Sequence, residues 1–177
     1  MTVKRLIDVA ISAAALLILS PLFLIVALVI KLDSRGGPIL TIRIRPYYDN
    51  RILPLLVFRC NGLFHSPSLF GRLLTRVGID RLPMLLNVLR GDLSIVGPRC
   101  PASNISTINT SLSRILLGTS LRPGLLSLAD VATRLNGKVE KQEGLESDLV
   151  YVMNWSLLLD AKIVFRYLFS RSSYLQQ

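Results

Sequence analysis

The sequence contains one histidine, His65, and two cysteines, Cys60 and Cys100, among 177 residues. A single histidine excludes a histidine-based catalytic triad and a multi-histidine metal site. Two cysteines without a CxxC spacing exclude a disulfide-built secreted fold and predict free thiols. There is no glycine-rich phosphate loop of either common type. Aromatic residues reach only 7%, and no nucleic-acid-binding motif occurs, so nucleic acid is not an expected partner.

The charges that are present are unevenly distributed. The chain has 21 Lys and Arg against 11 Asp and Glu, a net charge of +10. Between Arg35 and Arg122 there are twelve arginines, no lysine and three acids. Arginine suits bidentate binding of phosphate, but for most of these residues we favour contacts with anionic lipid headgroups. With 51% hydrophobic residues, this pattern predicts a membrane surface and an anionic substrate as partners.

Residues 9–30 form a run of 22 residues without charge. As a helix this run is about 33 Å long, which matches the hydrocarbon core of a bilayer. Ser20 and Pro21 lie near its middle, where proline predicts a kink or a break, and the Ser20 hydroxyl is placed to satisfy a freed carbonyl. A kinked span and a helical hairpin that enters and leaves on one face both remain open. Cations at both ends favour the hairpin.

The rest of the chain predicts a mostly helical α+β fold. Two extended runs, residues 39–45 and 52–59, predict a small β-hairpin in which Pro54 confines the second strand to an edge. Apolar stripes at helical spacing over residues 64–90 predict helices. Residues 148–168 predict one amphipathic helix at the membrane interface.

The densest group of chemically informative residues is the segment 79–99. Asp80 lies three residues before Pro83, and proline is best tolerated in the first turn of a helix. We therefore expect Asp80 at or near a helix N-terminus, where the dipole and the unpaired N–H groups keep a carboxylate ionised. A helix cap and a reactive carboxylate are both consistent with this position.

Three stretches in the same order, residues 3–35, 80–99 and 148–163, resemble the bacterial sugar transferase family. The most specific matches are the runs NVLRGD (residues 87–92) and SIVGPR (residues 94–99), and Ser20-Pro21 within an apolar segment. The resemblance implies a monotopic phosphoglycosyl transferase. In such a protein residues 1–35 form a re-entrant membrane hairpin, and residues 36–177 form a sugar transferase domain on the cytoplasmic face of the bacterial inner membrane.

The reaction implied by the resemblance is the transfer of a sugar phosphate from a UDP-sugar to polyprenyl (undecaprenyl) phosphate, with release of UMP. This reaction starts exopolysaccharide or glycoconjugate assembly. The implied partners are the UDP-sugar, polyprenyl phosphate and anionic lipids of the inner membrane. A homo-oligomer, or pairing with an intact homologue, remains open.

The resemblance also implies roles for individual residues. Asp80 matches the nucleophile that forms a covalent phosphosugar–enzyme, a role that suits an ionised carboxylate. The family has glutamate at the next position, where it helps to place Mg²⁺, whereas this chain has Arg81, which repels a cation. Mg²⁺ is therefore implied by the family and disfavoured by this sequence, and metal ligands stay undefined. The retained candidates for phosphate contact are Arg45, Arg59, Arg99 and Arg122.

Two functional hypotheses follow. In the first, the chain is an active transferase in which Arg81 takes over part of the electrostatic role of the metal, as an arginine finger does. In the second, it is a catalytically impaired homologue that serves as a membrane-bound accessory or regulatory subunit of polysaccharide initiation. Arg59 and Arg99 also have an alternative, as buried ion-pair partners of Asp92 or Asp148.

Overall fold

The computed structural model describes residues 2–33, 37–46, 52–60, 69–99, 121–136 and 141–169. Two compact units are present: unit 1 comprises residues 1–44 and 54–91, and unit 2 comprises residues 45–53 and 92–177. In chain order the elements are α1 Thr2–Asp33, β1 Leu40–Pro46, β2 Ile52–Phe58, α2 Leu69–Val77, a 3₁₀ helix Ile79–Arg81, α3 Met84–Arg90, β3 Ser94–Val96, β4 Gly124–Leu126, α4 Leu128–Asn136, α5 Lys141–Met153 and α6 Leu157–Phe169. The predicted α+β, mostly helical class is confirmed.

Helix α1 is one continuous element, although Pro21 lies within it. Proline removes the hydrogen bond to the carbonyl four residues earlier, which is that of Leu17. The Ser20 hydroxyl donates to this same carbonyl at 2.8 Å, so the freed acceptor is satisfied locally. The helix is therefore not interrupted at Ser20–Pro21, and a kink or hairpin bend at these two residues stays a prediction. A re-entrant path through the membrane, and a domain boundary after residue 35, stay predictions.

Two different surfaces run along α1. By length and composition Val3–Asp33 is able to cross a membrane, and only 11% of an apolar 18-residue window is buried. The large apolar side chains exposed on it are Val3, Leu6, Ile7, Ile11, Leu17, Ile18, Leu24, Ile25, Leu28 and Leu32. The buried face instead carries polar residues near its start, Lys4, Asp8 and Ser12, and apolar residues near its end, Val26 and Ile30.

Unit 1 is held together by contacts from both ends of α1. Near its start, Arg5 donates to the carbonyls of Val88 and Leu89, at the C-terminal end of α3, where a cation complements the helix dipole. Near its end, Val26 and Ile30 pack in one apolar cluster with Phe58 of β2 and Leu74 of α2. A single helix thus contacts three other elements of unit 1.

Strands β1 and β2 form the predicted hairpin. Its open end is closed by a hydrogen bond from the Arg59 N–H to the Ile39 carbonyl at 2.9 Å. Gly71 of α2 lies directly against the chain that leaves β2, since a Cβ atom on it would meet the Cys60 carbonyl oxygen at 2.0 Å. Cys60 is a free thiol, as predicted, and Cys100 lies outside the described residues.

Unit 2 contains a two-stranded parallel sheet, with Ser94 opposite Gly124 and Val96 opposite Leu126. Because strands of three residues are too short to show an alternating pattern, neither strand was predicted from the sequence. A Cβ atom on Gly124 would lie 2.1 Å from the backbone nitrogen of Gly97. Glycine is therefore required at position 124 by close packing of two backbones.

The predicted single helix over residues 148–168 is wrong, because α5 ends at Met153 and α6 starts at Leu157. The Ser156 hydroxyl accepts the N–H of Leu159 at 3.1 Å, which is the contact of a helix N-cap. Tyr151 of α5 and Asp160 of α6 join the two helices through a hydrogen bond of 2.7 Å. Ser156 thus caps a new helix inside a run whose amphipathic pattern continues on both sides of it.

Candidate functional site

Asp80 is positioned by a tight turn between α2 and α3. Gly78 ends α2 with a left-handed φ of 83°, and its N–H donates to the Leu74 carbonyl at 2.9 Å. The 3₁₀ helix Ile79–Arg81 follows, and Pro83 caps the start of α3 without a side-chain hydrogen bond. Asp80 thus precedes a helix, as predicted. Its side chain does not act as the cap.

The carboxylate of Asp80 is fully buried, with 0% of the residue exposed. Among the residues that the structure describes, neither of its oxygens accepts a hydrogen bond of good geometry. Arg43 of β1 forms an ion pair with the carboxylate, with Nη2 3.9 Å from Oδ2. Burial of a charged group without hydrogen bonds is costly, so this carboxylate is held in an energetically unfavourable place.

The pKa of Asp80 reflects this conflict. Burial raises it above the ordinary 3.8, and the positive charges of Arg81 and Arg43 oppose the rise. The backbone N–H groups of Asp80 and Arg81 also lower it, although they do not meet the geometry of hydrogen bonds to the oxygens. Both arginines therefore favour the ionised form, which is the form that attacks an electrophile.

An open cleft of about 370 Å³ lies beside this pair in unit 1. Its lining residues are Pro38, Thr41, Ile42, Arg43, Phe58, Arg59 and Cys60. Two of these residues are arginines, Arg43 and Arg59, and none of the seven is acidic. Arg43 belongs to both features, since it lines the cleft and pairs with Asp80.

The described residues do not fit a metal site. Mg²⁺ is usually held by one or two carboxylates together with substrate phosphates and waters, yet the Asp80 carboxylate has two arginines as its charged neighbours, and these repel a cation. No group of three or more His, Cys, Asp or Glu side chains able to hold a metal ion occurs in the part of the chain that the structure describes. The described residues therefore offer no set of donors for a magnesium ion.

Arg99, in unit 2, is the centre of a polar cluster. Its guanidinium donates to Ser127 and Thr133 at 3.0 Å each and pairs with Asp130 at 3.2 Å. Its backbone N–H donates to Asp148 at 2.9 Å. The ion pair that the sequence left open for Arg99 is thus made with Asp130, while Asp148 binds its backbone. A phosphate contact of Arg99 stays a prediction.

Asp148 of α5 is the second buried carboxyl group, with 1% exposed. Its Oδ1 has no hydrogen-bond partner among the described residues. Burial raises its pKa to about 7, the N–H and the charge of Arg99 oppose the rise, and Asp130 adds to it. Asp148 therefore titrates near neutral pH, and it accepts a hydrogen bond from Arg99, the centre of the polar cluster.

The predicted site residues fall in different units. Asp80, Arg81 and Arg59 lie in unit 1, whereas the other three predicted phosphate ligands, Arg45, Arg99 and Arg122, belong to unit 2. Sequence reasoning missed Arg43 and Asp130. Strand alternation in β1 could have placed Arg43 on the same face as Arg45, and the spacing of Ser127 and Asp130 is that of a capping pair.

The fold and the site together define a class: a protein with a membrane-length apolar helix packed in the same compact unit as a buried carboxylate with cationic neighbours. The family model of the bacterial sugar transferases matches residues 1–172. The chain belongs to the bacterial sugar transferase family.

Curated relatives agree with this membership. An exopolysaccharide production protein PSS of Rhizobium leguminosarum bv. phaseoli is 33% identical over 93% of this chain and 92% of its own length. A UDP-glucose:undecaprenyl-phosphate glucose-1-phosphate transferase of Caulobacter vibrioides is 35% identical over 92% of this chain and 67% of its own length. An undecaprenyl-phosphate glucose phosphotransferase of Komagataeibacter xylinus is 33% identical over 97% of this chain, which covers only 37% of that relative.

Proposed function

We propose that this chain transfers a sugar phosphate from a UDP-sugar to polyprenyl phosphate and thereby starts exopolysaccharide assembly. Family membership and the names of the relatives support the reaction class. The observation that carries the proposal is the buried carboxylate of Asp80 with Arg81 and Arg43 as its cationic neighbours. A carboxylate without strong hydrogen bonds is a better nucleophile than a solvated one, and nearby cations attract a phosphate ester.

The proposed reaction has two displacements at one phosphorus atom. A carboxylate oxygen of Asp80 attacks the β-phosphorus of the UDP-sugar, and UMP leaves with the bridging oxygen and its electron pair. A phosphate oxygen of polyprenyl phosphate then attacks the same phosphorus, and Asp80 leaves as a free carboxylate. The product is a polyprenyl diphosphate sugar, and the enzyme is unchanged.

Arg81 supplies positive charge where the family has a metal-placing glutamate. Its side chain is exposed and its charge lowers the pKa of Asp80, so it favours the ionised nucleophile and attracts the negative charge of a diphosphate. Since the described residues do not fit a magnesium site, we propose that the transfer does not depend on a metal ion held by this chain.

The proposed location is the cytoplasmic face of the bacterial inner membrane, with both ends of α1 on that face. Residues 5 and 26 are about 31 Å apart along a straight α-helix, as much as the thickness of the hydrocarbon core. Arg5 and Val26 nevertheless both contact parts of unit 1 that lie outside α1. A path that enters and leaves the membrane on one side accommodates both contacts, and a straight span does not.

This topology is testable by cysteine labelling. Single cysteines at the exposed positions Val3 and Leu32, in a chain whose Cys60 and Cys100 are changed to serine, should react with an impermeant maleimide from the cytoplasmic face only. Labelling of the two positions from opposite faces would contradict the proposal.

The reaction itself is testable by UMP release from a panel of UDP-sugars, using membranes that contain the chain and added polyprenyl phosphate. Release that depends on Asp80 and persists in a chelator supports the proposal. Without release from the native chain or from Arg81→Glu, the chain is better described as an accessory subunit of polysaccharide initiation.

A further inference from the structure

We propose that the cleft beside Asp80 binds the diphosphate of a nucleotide, and that Arg43 exchanges its ion pair with Asp80 for a phosphate oxygen of that ligand. The proposal deepens the transferase function and rests on it for the identity of the ligand. It assigns a binding role to Arg43, which neither the family resemblance nor the motifs had suggested.

The ion pair between Arg43 and Asp80 is loose. The 3.9 Å between Nη2 and Oδ2 is an ion-pair distance and is too long for a hydrogen bond. Within the described ranges, the guanidinium of Arg43 makes no hydrogen bond. A guanidinium carries five N–H donors in a planar fork, so Arg43 has donors to offer to a ligand.

Arg43 pairs with a buried carboxylate and also lines an open cleft. Its side chain is 42% exposed, against 1% for that of Asp80. Arg59 lines the same cleft, and none of the described residues that line it is acidic. Two arginines that line a cleft of about 370 Å³ match the charge of a diphosphate, and arginine binds phosphate oxygens in bidentate fashion.

The charge of Arg43 also affects the electrostatic repulsion between the ligand and Asp80. A diphosphate that approaches the ionised Asp80 is repelled by it, and a cation between the two groups reduces this repulsion. Arg43 pairs with the carboxylate and also lines the cleft, so in this proposal its side chain moves from the carboxylate to the ligand. Transfer of Arg43 to the ligand also leaves the Asp80 carboxylate less neutralised and therefore more nucleophilic.

The test is UDP binding to the full chain in nanodiscs of neutral lipid, measured by titration calorimetry with a chelator present. Arg43→Gln should weaken UDP binding about tenfold or more, and Arg43→Lys should weaken it less, since lysine keeps the charge and loses the fork. Arg72→Gln, an exposed arginine of α2, is the matched control and should bind UDP as the native chain does. Equal affinity of native and Arg43→Gln chains overturns the proposal.

The exchange itself is tested by a double-mutant cycle. Asp80→Asn releases Arg43 from its partner, so it should tighten UDP binding severalfold, and this gain should vanish in the Arg43→Gln background. Tighter binding that is independent of Arg43, or weaker binding on Asp80→Asn, contradicts the exchange. These readouts need no turnover, so a chain that binds UDP through Arg43 but releases no UMP would refute the transferase function alone.

A further measurement, adsorption to lipid vesicles, distinguishes a lipid ligand from a nucleotide. If Arg43→Gln reduces adsorption to phosphatidylglycerol vesicles but leaves UDP affinity unchanged, the cleft binds lipid headgroups and the nucleotide proposal is wrong. As a control, the thermal unfolding of each variant is measured to check that it is folded under the conditions of the titration.

Discussion

The side-chain carbonyl of Asn87 in α3 accepts the backbone N–H of Leu56 in β2 at 2.9 Å. The amide nitrogen of the same side chain donates to the carbonyl of Pro54 at 2.8 Å, and the residue is fully buried. Asn87 therefore satisfies two backbone groups of β2 that have no other strand beside them in the two-stranded sheet. This contact joins the hairpin to the helix that follows Asp80.

Asn87→Ala should destabilise the protein by about 2–4 kcal/mol, because it leaves two backbone groups without a partner and opens a cavity. The measurement is the free energy of unfolding in detergent. The matched control is Asn154→Ala, an exposed asparagine whose amide nitrogen donates to the Val150 carbonyl, which should cost less than about 1 kcal/mol. Equal losses from the two variants would contradict the role of Asn87.

Asp80→Asn should abolish UMP release, by at least about 10³-fold, since an amide cannot act as the nucleophile. The same change should raise the thermal midpoint by a few degrees near neutral pH. The reason is that burial raises the pKa of Asp80, so the ionised form destabilises the folded state above the ordinary pKa. Glu143→Gln, an exposed carboxylate, should change neither quantity. Retained activity in Asp80→Asn would refute the proposed nucleophile.

Arg81→Glu should change the response of the reaction to metal ions. The variant has adjacent carboxylates at positions 80 and 81, which together can hold a divalent cation, and it loses a positive charge beside the nucleophile. We expect UMP release by the native chain to survive chelation, and release by the variant to require added Mg²⁺. A native chain whose activity is lost with chelator and restored by Mg²⁺ would contradict metal-independent transfer.

Asp148 should make stability depend on pH. Its pKa rises from 3.8 to about 7 on folding, so the folded state holds the proton more strongly and loses stability as the pH increases from about 4 to about 7. One such group contributes up to about 1.4 kcal/mol per pH unit. The thermal midpoint should therefore be lower at pH 8 than at pH 5, and Asp148→Asn should reduce this difference.

The control for Asp148 is Glu146→Gln, an exposed carboxylate on the same helix. It should keep the pH dependence of the native chain. Asp80 contributes a change of the same sign, so the informative quantity is the difference between the native and variant profiles. Parallel profiles for the native chain and Asp148→Asn would show that Asp148 is not the responsible group.

The sequence was most informative where a property depends on neighbouring residues. Apolar runs, strand alternation and the position of Pro83 predicted the membrane-length helix, the hairpin and the place of Asp80 just before a helix. The matched motifs predicted the family. The same local reasoning failed at Ser156, whose capping contact divides the C-terminal helix, and at the three-residue strands β3 and β4, which are too short to show a period.

Contacts between distant segments were decided by the tertiary structure alone. A sequence shows that Asp80 is followed by Arg81, but the approach of Arg43, 37 positions earlier, depends on how β1 packs in unit 1. The full burial of Asp80, and the choice of Asp130 as the ion-pair partner of Arg99, have the same origin. The burial of a side chain and its effect on a pKa are set by atoms brought together from different elements, and no single stretch of sequence contains them.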